Sequence, residues 1–337
     1  MPLTQSQLPM GLEQEFVVYD FSPDGKWLAY SPLHSSEDPS LRLFETPMMI
    51  LLSYTGERIE HPIDVSVFED ELRECCLDSY FDRLSDDSHW INNELLYMEL
   101  FALPVEGSTG GAVMPEIFDP FAGVWLTDWL DALSDRPGVG TFRDDIGISP
   151  DLSRVLYPFI SGEGWGNGII LRDLTTKNEL WFDPMFAYDY GILIRWSPDS
   201  SVVAVANRLT SRLLLISRDG DVREEIANSS FLGSGFNVEY LAWSPDGRYL
   251  ALIDDYEIVN DVYIYDTVND QYIYRCPLTE LSDYFIRLIW SPDGAWIALT
   301  ALDSPLQVLN VQTGEVIQLL DDAIAVGWSD KFPTVWP

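Results

Sequence analysis

Residues 243–252 read Trp243-Ser244-Pro245-Asp246-Gly247-Arg248-Tyr249-Leu250-Ala251-Leu252: an aromatic residue, a turn and an apolar strand. Pro presets the backbone at the first central turn position, Asp accepts local amide hydrogen bonds, and Gly tolerates the positive φ that closes the turn. The phrase recurs. Phe21-Ser22-Pro23-Asp24-Gly25 precedes Trp27-Leu28-Ala29-Tyr30, and Trp196-Ser197-Pro198-Asp199-Ser200 precedes Val202-Val203-Ala204-Val205. Trp290-Ser291-Pro292-Asp293-Gly294 precedes Trp296-Ile297-Ala298-Leu299, and looser copies open at Trp90, Ile148 and Trp328.

Each copy predicts a strand, a tight turn and a second strand. Most units then carry another hairpin, turning at Thr55-Gly56, Asp219-Gly220, Val268-Asn269-Asp270 or Thr313-Gly314. The repeat is therefore a four-stranded antiparallel sheet. Copies open at 148, 196, 243 and 290, a spacing of 48, 47 and 47 residues, the size of a propeller blade. A sheet repeated in this way has to bury both faces against its neighbours, and closure into a ring does so for every copy.

The Trp-Ser-Pro-Asp-Gly phrase followed by an apolar strand resembles the repeat of TolB-like and WD-type β-propellers. The resemblance spans essentially the whole chain and implies an all-β propeller, while the superfold hosts many unrelated functions. Seven blades are expected in a single domain over residues 1–337, starting near 15, 85, 143, 191, 238, 285 and 323. The segment before Phe16 is then required to add an outer strand to the last hairpin, and six blades is the alternative. Phe68, Leu72, Cys76, Phe81 and Leu84 recur near helical spacing, which predicts one short helical insertion at about 64–84.

With 55 acidic and 19 basic residues the chain carries a formal charge of −36. That excludes nucleic-acid binding driven by overall charge and docking on anionic lipid, both of which need clustered Lys and Arg. No apolar run is long enough to span a membrane. The opening residues show no charged n-region with an apolar h-region, so the expectation is a soluble, monomeric, cytoplasmic protein, or an extracytoplasmic one if a leader was removed. Cys75, Cys76 and Cys276 form neither a metal-binding pair nor a disulfide framework.

Catalytic signatures are absent from the sequence. His34, His61 and His89 have no zinc-ligand spacing, and no Gly-x-Ser-x-Gly elbow occurs. The turn aspartates Asp24, Asp199, Asp246 and Asp293 belong to the repeat itself. No cofactor is implied, although Asp254, Asp255, Glu257 and Asp261, read as one connection between strands, offer oxygen ligands that suit Ca²⁺.

On the first strand of each unit, side chains alternate between faces. Residues two before each phrase, such as Ile146, Ile194, Leu241 and Leu288, are expected between blades. The alternate positions are expected to face a central channel, and they collect Asp20, His89, Asp145, Arg195, Tyr240 and Arg287. Arg presents a bidentate fork to carboxylates, so Arg195 and Arg287 are expected either to pair with Asp20, Asp87 or Asp145 and neutralise the channel, or to form a pocket for a small anion or a partner's carboxylate. Tyr188, Tyr190, Phe231 and Phe236 place aromatic side chains in loops. Together these features point to a non-catalytic scaffold for a protein or peptide partner, binding through a loop face and the channel mouth. A channel-site enzyme or small-ligand binder (lyase, lactonase or glycan-directed, with or without Ca²⁺) is the alternative.

Overall fold

The computed structural model describes residues 16–24, 26–32, 48–53, 56–68, 79–84, 89–104, 112–126, 146–159, 168–182, 192–207, 212–225, 238–256, 259–278, 287–300, 305–320, 324–329 and 332–336. They fall in two compact units, one within residues 3–143 and one within residues 144–337. No helix among them is long and apolar enough to cross a membrane.

In the first unit, β1 (Phe16–Phe21), β2 (Trp27–Pro32), β3 (Met48–Ser53) and β4 (Arg58–Pro62) form an antiparallel sheet in that order. The second sheet contains β5 (Ser79–Leu84), β6 (His89–Trp90), β7 (Leu96–Pro104), β8 (Ala112–Asp119) and β9 (Val124–Trp125). Here the expected helix over 64–84 is corrected. Ser66–Phe68 is a short 3-10 turn, residues 79–84 are strand, and residues 69–78 lie outside the described residues. The reason is the nine-residue β7: β6 pairs with its first part, at His89↔Tyr97, and β5 with its last, at Leu84↔Leu100. A long strand needs partners for its whole length, and that non-local ladder overrides the helical spacing.

In the second unit, four sheets of the same design follow. They are β10 (Gly147–Ile148) to β13 (Glu179–Phe182), β14 (Ile192–Trp196) to β17 (Val222–Glu225), β18 (Val238–Trp243) to β21 (Gln271–Leu278), and β22 (Arg287–Trp290) to β25 (Val316–Leu320). Their middle strands are β11 (Arg154–Phe159), β12 (Gly168–Asp173), β15 (Val202–Asn207), β16 (Arg212–Ser217), β19 (Tyr249–Tyr256), β20 (Val259–Asp266), β23 (Trp296–Thr300) and β24 (Leu306–Asn310). The last phrase builds only the hairpin β26 (Ile324–Ser329) and β27 (Phe332–Trp336). The described chain thus has six blades, and the expectation of seven is corrected. The seventh phrase has one strand after it, and residues 1–15, assigned to its outer strand, lie outside the described residues.

The turn of the phrase is held by a buried serine. Ser22, Ser149, Ser197, Ser244 and Ser291 are all nearly inaccessible. Ser244 Oγ donates to Asp246 Oδ1 (2.6 Å) and accepts the Tyr249 amide (2.8 Å). Asp246 Oδ1 in turn accepts the Arg248 amide at 3.1 Å. The same three bonds recur around Ser22, Ser197 and Ser291. The residue after Asp takes a left-handed conformation, with φ of 70° at Gly247 and 66° at Gly294. Ser200 and Leu152 hold the same region at 61° and 55°, in the copies that lack Gly there.

Neighbouring blades share their cores. Ala204, Ala206 and Leu213 of one sheet share a core with Leu241, Leu250 and Tyr263 of the next, and Ala251 and Ile253 share one with Leu288, Trp290 and Ile297. In the first unit, Ala29, Met49 and Leu51 meet Trp90, Leu96 and Phe118 in the same way. The alanine of the phrase is fully buried at Ala29, Ala204, Ala251 and Ala298, leaving room for the bulky side chains of the following sheet.

Replacing Ser244 with Ala strands the half-buried Tyr249 amide and removes one of the two donors to the Asp246 carboxylate. The expected loss is about 1–3 kcal/mol. It is read as a Tm several degrees lower with unchanged far-UV circular dichroism, and an unchanged Tm contradicts the role given to the serine.

Candidate functional site

The inner strands carry the positions singled out from the sequence. Burial along β14 alternates: Ile192, Ile194 and Trp196 are buried, while Leu193 and Arg195 are half-buried. Ile146, Leu241 and Leu288 are buried as well, in line with their expected place between blades.

At four copies of the phrase the residue just before it has a second role that the sequence does not display. Its backbone carbonyl accepts the indole N–H of the next blade's tryptophan. Trp196 Nε1 donates to Gly147 (3.0 Å), Trp243 to Arg195 (2.9 Å), Trp290 to Ala242 (3.2 Å) and Trp328 to Ile289 (2.8 Å). At Gly147 the approach is so close that an added Cβ would collide with Ile194, so glycine is required there by space.

Arg195 itself donates from Nη1 to the Ile194 carbonyl at 2.8 Å. Among the described residues no carboxylate forms an ion pair with it. Tyr240, on β18, is half-buried against the core formed with Leu288 and Trp290. His89 lies against Tyr97, with ring centroids 5.1 Å apart. Asp20 is in β1 and Arg287 begins β22, with their side chains outside the described residues. Asp145 and the loop aromatics Tyr188, Tyr190, Phe231 and Phe236 also lie outside the described residues.

The proposed Ca²⁺ ligands do not share one connection. Asp254 and Asp255 are in β19 and Asp261 is in β20, with Asp254 and Asp261 direct register partners; Glu257 is outside the described residues. The correction has a simple cause: Tyr256 pairs with Val259, so the strands run on to a tight hairpin. Among the described residues, no group of three or more His, Cys, Asp or Glu side chains could hold a metal ion.

The turn acids are committed to structure. Burial pushes Asp24, Asp151 and Asp199 up, but hydrogen bonds outweigh it, from the Lys26 side chain and then Ser22 at Asp24 and from neighbouring serines and amides at Asp151 and Asp199, and hold all three below the ordinary carboxylate range. Asp293 is lowered chiefly by its bond from Ser291. Such groups stay ionised and make poor general acids. Scarce cations reinforce them: Lys26 pairs with Asp24 at 2.7 Å, and Arg218 reaches Asp151 at 2.8 Å.

Two further clusters had no sequence signal. Arg172, 1% exposed, donates to Glu179 at 2.9 Å, and the Tyr157 hydroxyl donates to the same carboxylate at 3.3 Å. Burial, with Glu179 beside it, raises the Tyr157 pKa. Asp266 is 2% exposed and closes the turn between β20 and β21. It accepts the Val268 and Asn269 amides, the Asn269 side chain and the Arg248 guanidinium. Burial alone would raise it, yet these four donors bring it down to about 2 from 3.8.

Against known proteins, the chain matches no family model and no curated protein sequence. Solved structures do match. The Cps50 (Swd1) β-propeller domain of Myceliophteria thermophila aligns with 95% of this chain and 91% of its own at 12% identity, with a TM-score of 0.55. The fold is a β-propeller. An oligogalacturonate lyase in complex with manganese aligns over 91% of this propeller chain and 78% of its own, at 14% identity and a TM-score of 0.52. TolB from Acinetobacter baumannii aligns over 88% and 66%, at 15% identity and a TM-score of 0.48. At such identities the likeness concerns the propeller fold alone.

The depressed pKa of Asp266 has a pH signature. A carboxylate lowered on folding adds stability above its unfolded value of 3.8, and that contribution disappears as pH falls toward about 2. Asp266→Asn is expected to be less stable than wild type at neutral pH, with the difference shrinking as both are acidified through that window. A difference independent of pH, measured by urea unfolding, contradicts the assignment.

Proposed function

We propose that this propeller is a non-catalytic scaffold that binds a protein or peptide partner through its loops and the inner ends of its strands. One observation carries the reading. In a chain of charge −36, Arg195 stands half-buried on an inner strand, and the one polar contact of its guanidinium among the described residues is a backbone carbonyl. Its remaining donors suit the carboxylate of a partner side chain or C-terminus. The turn acids argue the same way, since held ionised by their turns they offer little proton-transfer chemistry. Tyr240, Arg287 and the loop aromatics Tyr188, Tyr190, Phe231 and Phe236 complete the proposed contact surface.

A second reading, a ligand binder or enzyme for a small acid, is favoured by the same guanidinium. The presence of an oligogalacturonate lyase among the structures of the same fold keeps that chemistry in view.

Arg195→Gln tests the guanidinium without touching the Trp243 bond, whose acceptor is the backbone, and the probe it is tested with separates the two readings. Affinity capture with the wild-type chain is expected to retain protein partners, and the variant to lose about tenfold or more, the scale of a charge-assisted hydrogen bond. Capture that survives both this change and alanine at the four loop aromatics contradicts the scaffold reading. Saturable galacturonate binding without protein capture favours the second.

A further inference from the structure

The indole bonds also fix which residues stand side by side on the inner strands. Their acceptors are the carbonyls of Gly147 in β10, Arg195 in β14, Ala242 in β18 and Ile289 in β22, so these four occupy one level of successive strands. Arg195 is the one charged residue at that level of the second unit. Its neighbours on either side are a glycine and an alanine. Leu193, two residues earlier on the same half-buried side of β14, is apolar, and Ala242 and Ile289 are half-buried as well. Tyr240 brings the one hydroxyl among the half-buried residues of β14, β18 and β22. The guanidinium donates from Nη1 to the Ile194 carbonyl, and among the described residues no carboxylate pairs with it.

Carboxylate ligands differ in what surrounds the charge. A sugar acid carries several hydroxyls, and each that leaves water needs a partner. An Asp or Glu inside a chain is flanked on both sides by peptide groups, which need partners too. A chain terminus is different. No peptide group lies beyond its carboxylate, and the last side chain springs from the carbon that bears it. An apolar last residue therefore sets an apolar group directly beside the charge, which matches Arg195 with Leu193 and Ala242. The net charge of −36 adds a field against acidic guests, so the rest of the segment is neutral or basic.

We propose that Arg195 receives the free C-terminal carboxylate of a partner chain whose last residue is apolar, such as Leu, Val or Phe. This rests on the reading of Arg195 as a carboxylate site and narrows it to one kind of carboxylate. The guanidinium donors not used on Ile194 take the two carboxylate oxygens as a fork. The last side chain meets Leu193 and Ala242, and this contact selects apolar termini over polar ones.

The test titrates the full chain with four labelled peptides. They are Gly-Ser-Lys-Ser-Gly-Val-Leu with a free C-terminus, the same peptide amidated, the free acid ending in Ser in place of Leu, and Ser-Gly-Leu-Asp-Leu-Gly-Ser blocked at both ends. The Leu-ended acid is expected to bind, and its amide about tenfold or more weakly, the scale of a charge-assisted hydrogen bond. The Ser-ended acid binds about fivefold or more weakly, because the apolar contact is lost. Arg195→Gln brings the Leu-ended acid down to the affinity of its amide while the Tm stays at the wild-type value. Equal binding of acid and amide, equal binding of the Leu and Ser ends, binding of no peptide, or binding unchanged in Arg195→Gln overturns the proposal. So does tighter binding of the blocked Asp peptide. If the Leu-ended acid fails while protein capture still depends on Arg195, the C-terminal assignment falls and the scaffold reading stands. If capture and all four peptides are indifferent to Arg195→Gln, both fall.

Discussion

A hydrogen bond from an indole N–H to a backbone carbonyl joins three successive pairs of elements in the second unit, from the blade of β10–β13 to that of β22–β25, and a fourth joins the hairpin β26–β27 to the last blade. The rest of the architecture depends on that bond being possible. The sheets of the second unit share their cores with their neighbours, so these buried faces exist only while the neighbours stand at the correct distance. The indole sets the distance, reaching the carbonyl of the residue just before the last one of the preceding inner strand. A small residue such as Ala251 or Ala298 leaves room for the ring that follows. The alternating burial of β14 follows from the same constraint, since Ile194 and Trp196 pack between blades while Arg195 is turned away.

Much of the fold was legible because the repeat states it many times. The phrase marks the turn between first and second strands, and the Gly- and Asn-centred turns mark the second hairpin. Gly56, Gly220, Asp270 and Gly314 do adopt positive φ, as those turns require. What stayed hidden was whatever depends on distant partners. Phe81 and Leu84 have helical spacing with Phe68, but the unpaired length of β7 recruits them into a strand. Tyr256 and Val259 close a hairpin inside what read as an acidic loop. The inter-blade bond was invisible for another reason: its acceptor is a backbone carbonyl, which every residue possesses. The buried serines were quoted with each phrase, yet their spacing alone does not reveal that one hydroxyl serves both an acid and an amide.

The acidity of the chain divides in the same way. Asp24, Asp151, Asp199 and Asp266 lie in turns whose donors favour the ionised form, and the few cations near them, Lys26, Arg218 and Arg248, act as local counterions. Arg172 and Glu179 neutralise one another inside a sheet. Arg195 has no such counterion among the described residues, which is why the candidate site centres on it. The alternation of the inner strand pointed to this residue; among the arginines whose side chains are described, the lack of an ion pair distinguishes it from Arg58, Arg154, Arg172, Arg218 and Arg248.

The central claim is that the indole bonds of the second unit are permanent features of the folded chain. Hydrogen exchange of the Nε1 protons of Trp196, Trp243, Trp290 and Trp328, followed by NMR after transfer to deuterated buffer, tests it most directly. If each bond opens only when neighbouring blades separate, all four protons exchange about a thousandfold or more slowly than a free indole. Exchange at the rate of a free indole at Trp196, Trp243 or Trp290 contradicts the account, because the spacing of the blades would then rest on something else.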